Sequence, residues 1–322
     1  MDLRHALLEL AERDHLPPTA AARLFALARL DAEPAGVARG VALGLAVVAA
    51  ALGGLGLIFW IAANWSDFGR AGRFGLLQAL VLATCAGAAL RPAARVPLSL
   101  VAMLGIGGLF AYFGQTYQTG ADPWQLFAWW ALLALPLCAG VKHDALWAPW
   151  ALIVSTAIAL WVFASSGRQW RVQQDDWLLH LTGWALSLGM VLLLSPALKR
   201  FTGAGVVAMR VALVLSTATI TLTAISGLFE PDITAHFWLG LLILALAAAA
   251  FAQPRYHDTF ALSVAGLGLN ALLVVLIARV CMDLKVNLLL GLLLTGLSAA
   301  GLLGATVHTI LSLSRQNAGK TS

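Results

Sequence analysis

Charge is scarce in this chain. Asp, Glu, Lys and Arg make up 11% of its 322 residues, where a soluble domain carries roughly 25%. With 61% hydrophobic residues and a mean hydropathy of +0.87, a soluble class is excluded and a membrane class is expected. Cysteine is scarce too. Cys85, Cys138 and Cys281 are odd in number and far apart, with no CxxC or Cys/His metal spacing. That gives neither a disulfide framework nor a zinc module, and Cys85 and Cys138, inside apolar runs, read as small packing residues. Catalytic signatures are missing as well. There is no HExxH, GxSxG, Walker or dinucleotide motif, so no metal or cofactor is expected. No apolar run carries a central carboxylate, which argues against a proton- or sodium-coupled pump with acids at the midplane. The first 30 residues mix acids and bases and break at Pro17-Pro18. They do not read as a secretory signal, so the first membrane helix is expected to direct insertion.

What fills the sequence instead is apolar runs. About ten of them follow residue 40, at 40–63, 73–90, 96–113, 124–141, 145–164, 177–194, 206–229, 235–252, 259–279 and 287–313. A run of roughly 18 or more is long enough to cross a bilayer as a helix. The predicted fold is therefore all-α: a polytopic transmembrane bundle of about ten spans. Connections are short, so successive helices should pack as antiparallel neighbours. The 30 glycines are scattered through these runs, where they let backbones approach closely. Residues 36–313 form the transmembrane domain, with possible halves 36–164 and 177–313, and 314–322 form a tail.

Residues 1–35 differ. Leu3, Leu7 and Leu10 recur at helical spacing, Pro17-Pro18 interrupts, and Thr19 opens a second helix with Leu24, Leu27 and Leu30 on one side. This predicts a helical hairpin too short to bury a core of its own. It is expected to dock on the membrane domain, the bilayer surface or a protein partner.

Orientation follows from Lys and Arg. One side would carry Arg4, Arg13, Arg23, Arg29, Arg39, Arg91, Arg95, Lys142, Lys199, Arg200, Arg210, Arg255, Arg315 and Lys320. The other would carry Arg70, Arg73, Arg168, Arg171, Arg279 and Lys285. The excess predicts both termini on the cytoplasmic side. The net charge of +5 is thus a topology signal, and no nucleic-acid binding is expected. Trp65, Trp124, Trp147, Trp170, Trp177 and Trp238 near helix ends fit an aromatic belt.

Two polar runs fall at outer helix ends. One is Gly114-Gln115-Thr116-Tyr117-Gln118-Thr119-Gly120, followed by Trp124; the other is Asn64-Trp65-Ser66-Asp67. Unpaired polar groups at that depth are costly. They are either interfacial turns and caps, or the polar mouth of a cavity, with Asn64 reaching toward Gln115 or Gln118. Asn64, Gln115, Thr116, Tyr117, Gln118 and Trp124 are the candidate ligand-binding residues. His180, four residues after Asp176, and Arg210, just inside the seventh run, are candidates for a proton-linked role. Their bland alternatives are an interfacial histidine paired with Asp176 and an arginine snorkelling to phosphates. His143-Asp144 and His257-Asp258 read as solvated turn residues. They belong to a faint internal repeat between residues 120–146 and 229–262, a pattern that coincidence between apolar helices also produces.

Gly53-Gly54-Leu55-Gly56, Ala63-Asn64-Trp65, the Gly114–Gly120 run and Trp124 through Trp130, preceded by the hairpin, resemble the bacterial membrane family called domain of unknown function 2157. The resemblance covers residues 1–150. It implies a multi-pass protein of the bacterial inner membrane and carries no assigned activity.

Three functions are compatible with these residues. The first is a non-enzymatic protein that binds or passes a small neutral or lipidic molecule, with membrane lipids as its surroundings. The second is a structural or regulatory subunit docking a partner through residues 1–35. The third is an enzyme on lipid-linked substrates using Asp122, Asp176 or His180; for this no catalytic constellation is readable.

Overall fold

The computed structural model describes residues 3–28, 37–64, 69–117, 120, 122–167, 170 and 172–318. Among them are thirteen α-helices and no strand. Ten of these helices are long and apolar enough to cross a membrane, as the apolar runs require. By internal contacts the chain divides into Met1–Ala49 and Ala50–Ser322.

In the first unit, α1 (Leu3–Arg13) and α2 (Pro18–Leu27) form the expected hairpin. α1 ends because His15 takes a left-handed conformation at φ 46°. The N–H groups of His15 and Leu16 then turn back to the Glu12 and Ala11 carbonyls, satisfying acceptors the helix end would orphan. Pro18 sits in the first turn of α2, where its missing N–H costs nothing. No residue of α2 is buried. α3 (Val37–Ala63) begins in this unit and ends in the next.

The second unit continues with α4 (Arg70–Leu90), α5 (Arg95–Tyr117), α6 (Pro123–Val141), α7 (Asp144–Ser165) and α8 (Trp177–Leu193). A short α9 (Lys199–Thr202) leads to α10 (Val206–Leu228), α11 (Ala235–Ala252), α12 (Thr259–Asp283) and α13 (Leu288–Ala318). Sequential pairs pack side by side, notably α4 with α5, α6 with α7 and α12 with α13. α10 is the hub: it packs on α7, α8, α11 and α12, and half of its apolar window is buried, against none of that of α13.

The core has three parts. Ile61, Leu77 and Tyr112 join α3, α4 and α5. Trp147, Trp150, Cys138, Met190 and Ala208 join α6, α7, α8 and α10. Trp184, Ile220, Phe237, Leu244 and Leu272 join α8, α10, α11 and α12. Each buried indole in the second group has a backbone partner: Trp147 Nε1 donates to Thr202 O at 2.9 Å and Trp150 Nε1 to Ala131 O at 2.9 Å.

Several boundaries differ from expectation by a few residues, and one of them bears on the candidate residues. The third run was expected to end at residue 113, yet α5 continues to Tyr117. Gln115, Thr116 and Tyr117 therefore belong to the last helical turn rather than to a loop. Tyr117 packs its ring 4.9 Å from Phe113 and 6.1 Å from Phe74, an apolar contact that extends the helix.

Candidate functional site

The structure brings several polar side chains to the ends of α8 and α11, around one cleft. The cleft has a volume of about 290 Å³ and lies between α7, α8 and α10. Its walls are mainly apolar, with Ile158, Val162 and Leu222 contributing. Phe163 and Trp170 stack beside it, ring centroids 4.5 Å apart at 28°. His180 and Trp184 also line it, the first 8% and the second 2% exposed.

Local sequence explains the positions. His180 and Trp184 are four apart on α8 and so share one helix face. Gly183 adjoins them, and a Cβ there would lie 2.9 Å from the Val162 side chain. Thr219 and Thr223, one turn apart on α10, give their hydroxyl protons to the Leu215 and Thr219 carbonyls of their own helix. They add little further polarity to the cleft. Val172 N donates to Ser226 Oγ at 3.3 Å, tying the α7–α8 connection to α10.

Beside His180 stands His236 of α11, its ring centroid 5.1 Å away and nearly perpendicular. The Thr234 hydroxyl donates to Gly227 O at 3.2 Å. His236 Nδ1 lies 3.1 Å from Thr234 Oγ1, and which of the two donates depends on the imidazole tautomer. Among the described residues His236 Nε2, His180 Nε2 and Trp184 Nε1 are all buried without a hydrogen-bond partner. Buried polar atoms are nearly always paired, and two of these, on His180 and Trp184, belong to residues that line the cleft. Gly227 is required here: a Cβ would fall 2.3 Å from Thr234 Oγ1.

The candidate residues from the sequence are dispersed differently from expectation. His180 meets His236, and no ion pair with Asp176 forms among the described residues. Asn64 Nδ2 donates to Trp60 O of its own helix at 2.9 Å, and no hydrogen bond joins it to Gln115 among the described residues. Gln115 and Tyr117 are exposed and Thr116 is half-buried. Gln118, with Trp65, Ser66 and Asp67, lies outside the described residues. Trp124 borders a shallow depression shared with Ile158, a residue that also lines the cleft. Among the described members of the outer polar set, Trp124 alone is thus placed beside the cleft by a shared wall.

Arg210 is at the other end of α10. Its Nη2 lies 3.6 Å from Asp258 Oδ1, and its guanidinium sits 4.8 Å from the Phe260 ring centre. Asp258 also accepts from Phe260 N and Ala261 N. Its counterpart in the repeat, Asp144, accepts from Gly205 N and from Val207 N. Both aspartates, expected to be solvated, therefore engage the start of α10.

Sequence reasoning missed Phe163, Trp170, Trp184 and His236. One signal was available. Both histidines lie in the first turn of an apolar helix at the same end of the bundle, after Asp176 and Thr234. Among the described residues no group of three or more His, Cys, Asp or Glu is placed to hold a metal ion.

Residues 8–147 match the family described as Predicted membrane protein (DUF2157). No curated protein and no solved structure matches the chain. With its ten candidate spans, the chain is a multi-pass helical membrane protein. The cleft residues from Ile158 onward lie beyond the matched segment.

Proposed function

We propose that this multi-pass protein, with its DUF2157 segment at residues 8–147, binds a small neutral or lipidic molecule in the α7–α8–α10 cleft. One observation carries the reading: a mainly apolar space of about 290 Å³ lined by two buried residues, His180 and Trp184, whose ring nitrogens Nε2 and Nε1 have no partner among the described residues. Ligand sites are mostly apolar with a few placed polar groups. Binding, rather than chemistry, is proposed because among the described residues no nucleophile with an adjacent base lines the cleft. Trp124 is proposed to stand at the entrance of the cleft, and Asn64, Gln115, Thr116, Tyr117 and Gln118 to form a separate outer polar cluster. The Lys and Arg distribution supports a cytoplasmic start and end in a bacterial inner membrane, with the cleft on the far side. Native mass spectrometry of the purified full chain tests the reading. One bound small molecule is expected, and Thr223→Phe, which fills the cleft, should remove it. Wild type without a bound molecule, or equal occupancy in the variant, would sink it.

A second reading rests on the hairpin. α2 buries nothing, and Leu8, Leu10 and Leu27 are exposed. This supports docking of a protein partner through residues 1–35. Deleting those residues should abolish co-purification of that partner; retention of every co-purifying protein would end the reading.

A further inference from the structure

We propose that the basic corner where α6 meets α9 holds an anionic phospholipid by its phosphate, through Lys142, Lys199 and Arg200. The corner lies at the opposite end of α8 and α10 from His180, so this site is independent of the cleft.

Packing builds the corner. α6 ends at Val141, and Lys142 caps it in the left-handed region at φ 55°, a conformation that glycine takes at least cost. A base therefore stands where the backbone favours glycine. α9 packs on α6, and Gly203 lies against the Lys142 side chain. Gly203 N donates to Lys199 O at 2.8 Å, so one turn of chain sets Lys199 and Arg200 beside Lys142. A buried indole fixes that turn from beneath, since Trp147 Nε1 donates to Thr202 O.

The charge of the corner is unbalanced. All three bases are exposed, and none has an ion-pair partner among the described residues. The carboxylate beside them is that of Asp144, and it is engaged by Gly205 N and Val207 N of α10. Three cations against one engaged carboxylate give a positive surface that an anion complements.

The apolar surroundings distinguish a lipid phosphate from a soluble anion. Phe201, next to Arg200, is 72% exposed. Leu192, Val206 and Val207, at the adjoining ends of α8 and α10, are exposed as well. Acyl chains cover such side chains, and a soluble anion does not. The bases stand at the ends of three candidate spans, those of α6, α8 and α10, where headgroup phosphates lie. Lysine and arginine stems run along apolar surface and hold their charge at that level. Basic pockets at span ends take anionic headgroups, and three charges favour a head with two phosphates over a head with one.

The test is native mass spectrometry of the purified full chain in detergent, titrated with diphosphatidylglycerol, phosphatidylglycerol or phosphatidylcholine of matched acyl chains. One retained lipid is expected, with affinity falling in that order. Lys199→Gln and Arg200→Gln should each weaken diphosphatidylglycerol binding about fivefold, and Arg200→Lys should keep most of it. Arg315→Gln, at the end of α13, should leave it unchanged. These three positions are exposed, and elution volume and thermal midpoint without added lipid show that each variant folds. Phosphatidylcholine binding as tight as that of the anionic lipids, wild-type affinity in both glutamine variants of α9, or an equal loss in Arg315→Gln overturns the site. Displacement by equimolar glycerol 3-phosphate assigns the corner to a soluble anion and overturns the lipid. Thr223→Phe, which fills the cleft, should leave the titration unchanged; loss of binding there places the lipid in the cleft and overturns the corner.

Discussion

Asn270 of α12 and Thr306 of α13 share a reciprocal pair of hydrogen bonds. Asn270 Nδ2 donates to Thr306 Oγ1 at 3.0 Å, and the hydroxyl donates to Asn270 Oδ1 at 3.1 Å. Gly266 lies one turn away, where a Cβ would come 2.9 Å from the Thr306 methyl. The two helices meet here through one small residue and one polar pair, a common device where lipid supplies no hydrophobic drive. Thr306→Val keeps the shape and removes both bonds. It should cost about 1–2 kcal/mol and lower the thermal midpoint in detergent. Asn270→Leu with Thr306→Val should cost less than the two single changes added together, because no orphaned amide remains. Additive losses would contradict the pairing.

The start of α10 offers a second prediction. Asp144 accepts from Gly205 N and Val207 N, two N–H groups with no partner inside the helix. Asp144→Ala should destabilise by about 1–2 kcal/mol. Asp144→Asn, which keeps an acceptor oxygen, should recover part of that loss. Thermal unfolding in detergent ranks the three proteins, and equal midpoints for Ala and wild type would refute the cap.

Gly203 gives a third. It has φ +65°, and a Cβ there would fall 2.4 Å from Lys142 Cβ. Lys142 itself ends α6 in the left-handed region at φ 55°. Two left-handed residues back to back leave room for one side chain only. Gly203→Ala combines backbone strain with a clash against Lys142 and should cost about 2 kcal/mol or more. Lys142→Gly in the same chain should relieve the clash but not the strain. A neutral Gly203→Ala would show that this turn relaxes.

Gly107 gives a fourth. The Trp130 ring lies 2.4 Å from the position a Cβ would take, and Trp130 Nε1 is anchored to Met103 O at 2.8 Å. The indole cannot withdraw without losing that bond. Gly107→Ala should destabilise by about 1–3 kcal/mol, whereas Gly53→Ala, with nothing within 4 Å, should be neutral. Comparing the yield of folded protein and the midpoint of the two variants decides it.

The Asp144 and Asp258 contacts show where sequence reading stopped. His-Asp before an apolar run looks like an ordinary helix start, and Asp258 does cap its own helix. Nothing in the spacing says that both aspartates also engage α10, because that depends on which helices are neighbours. Arg210 is similar: its depth in the span was legible, its pairing with Asp258 across helices was not. The outer polar run was legible as polar, but α5 ran on through Tyr117 because aromatic contacts with Phe74 and Phe113 continued the helix.

The sequence by itself determined the solvent, the helices and their approximate ends. Hydropathy is additive along the chain, and in a bilayer each helix must satisfy its backbone within itself. The tertiary structure decided everything that depends on two distant segments meeting. It made α10 the hub, set His180 against His236, and left Trp184 Nε1 with no partner among the described residues beside a cleft. Apolar helices offer many nearly equivalent faces, and which faces pair follows from side-chain packing between helices far apart in sequence.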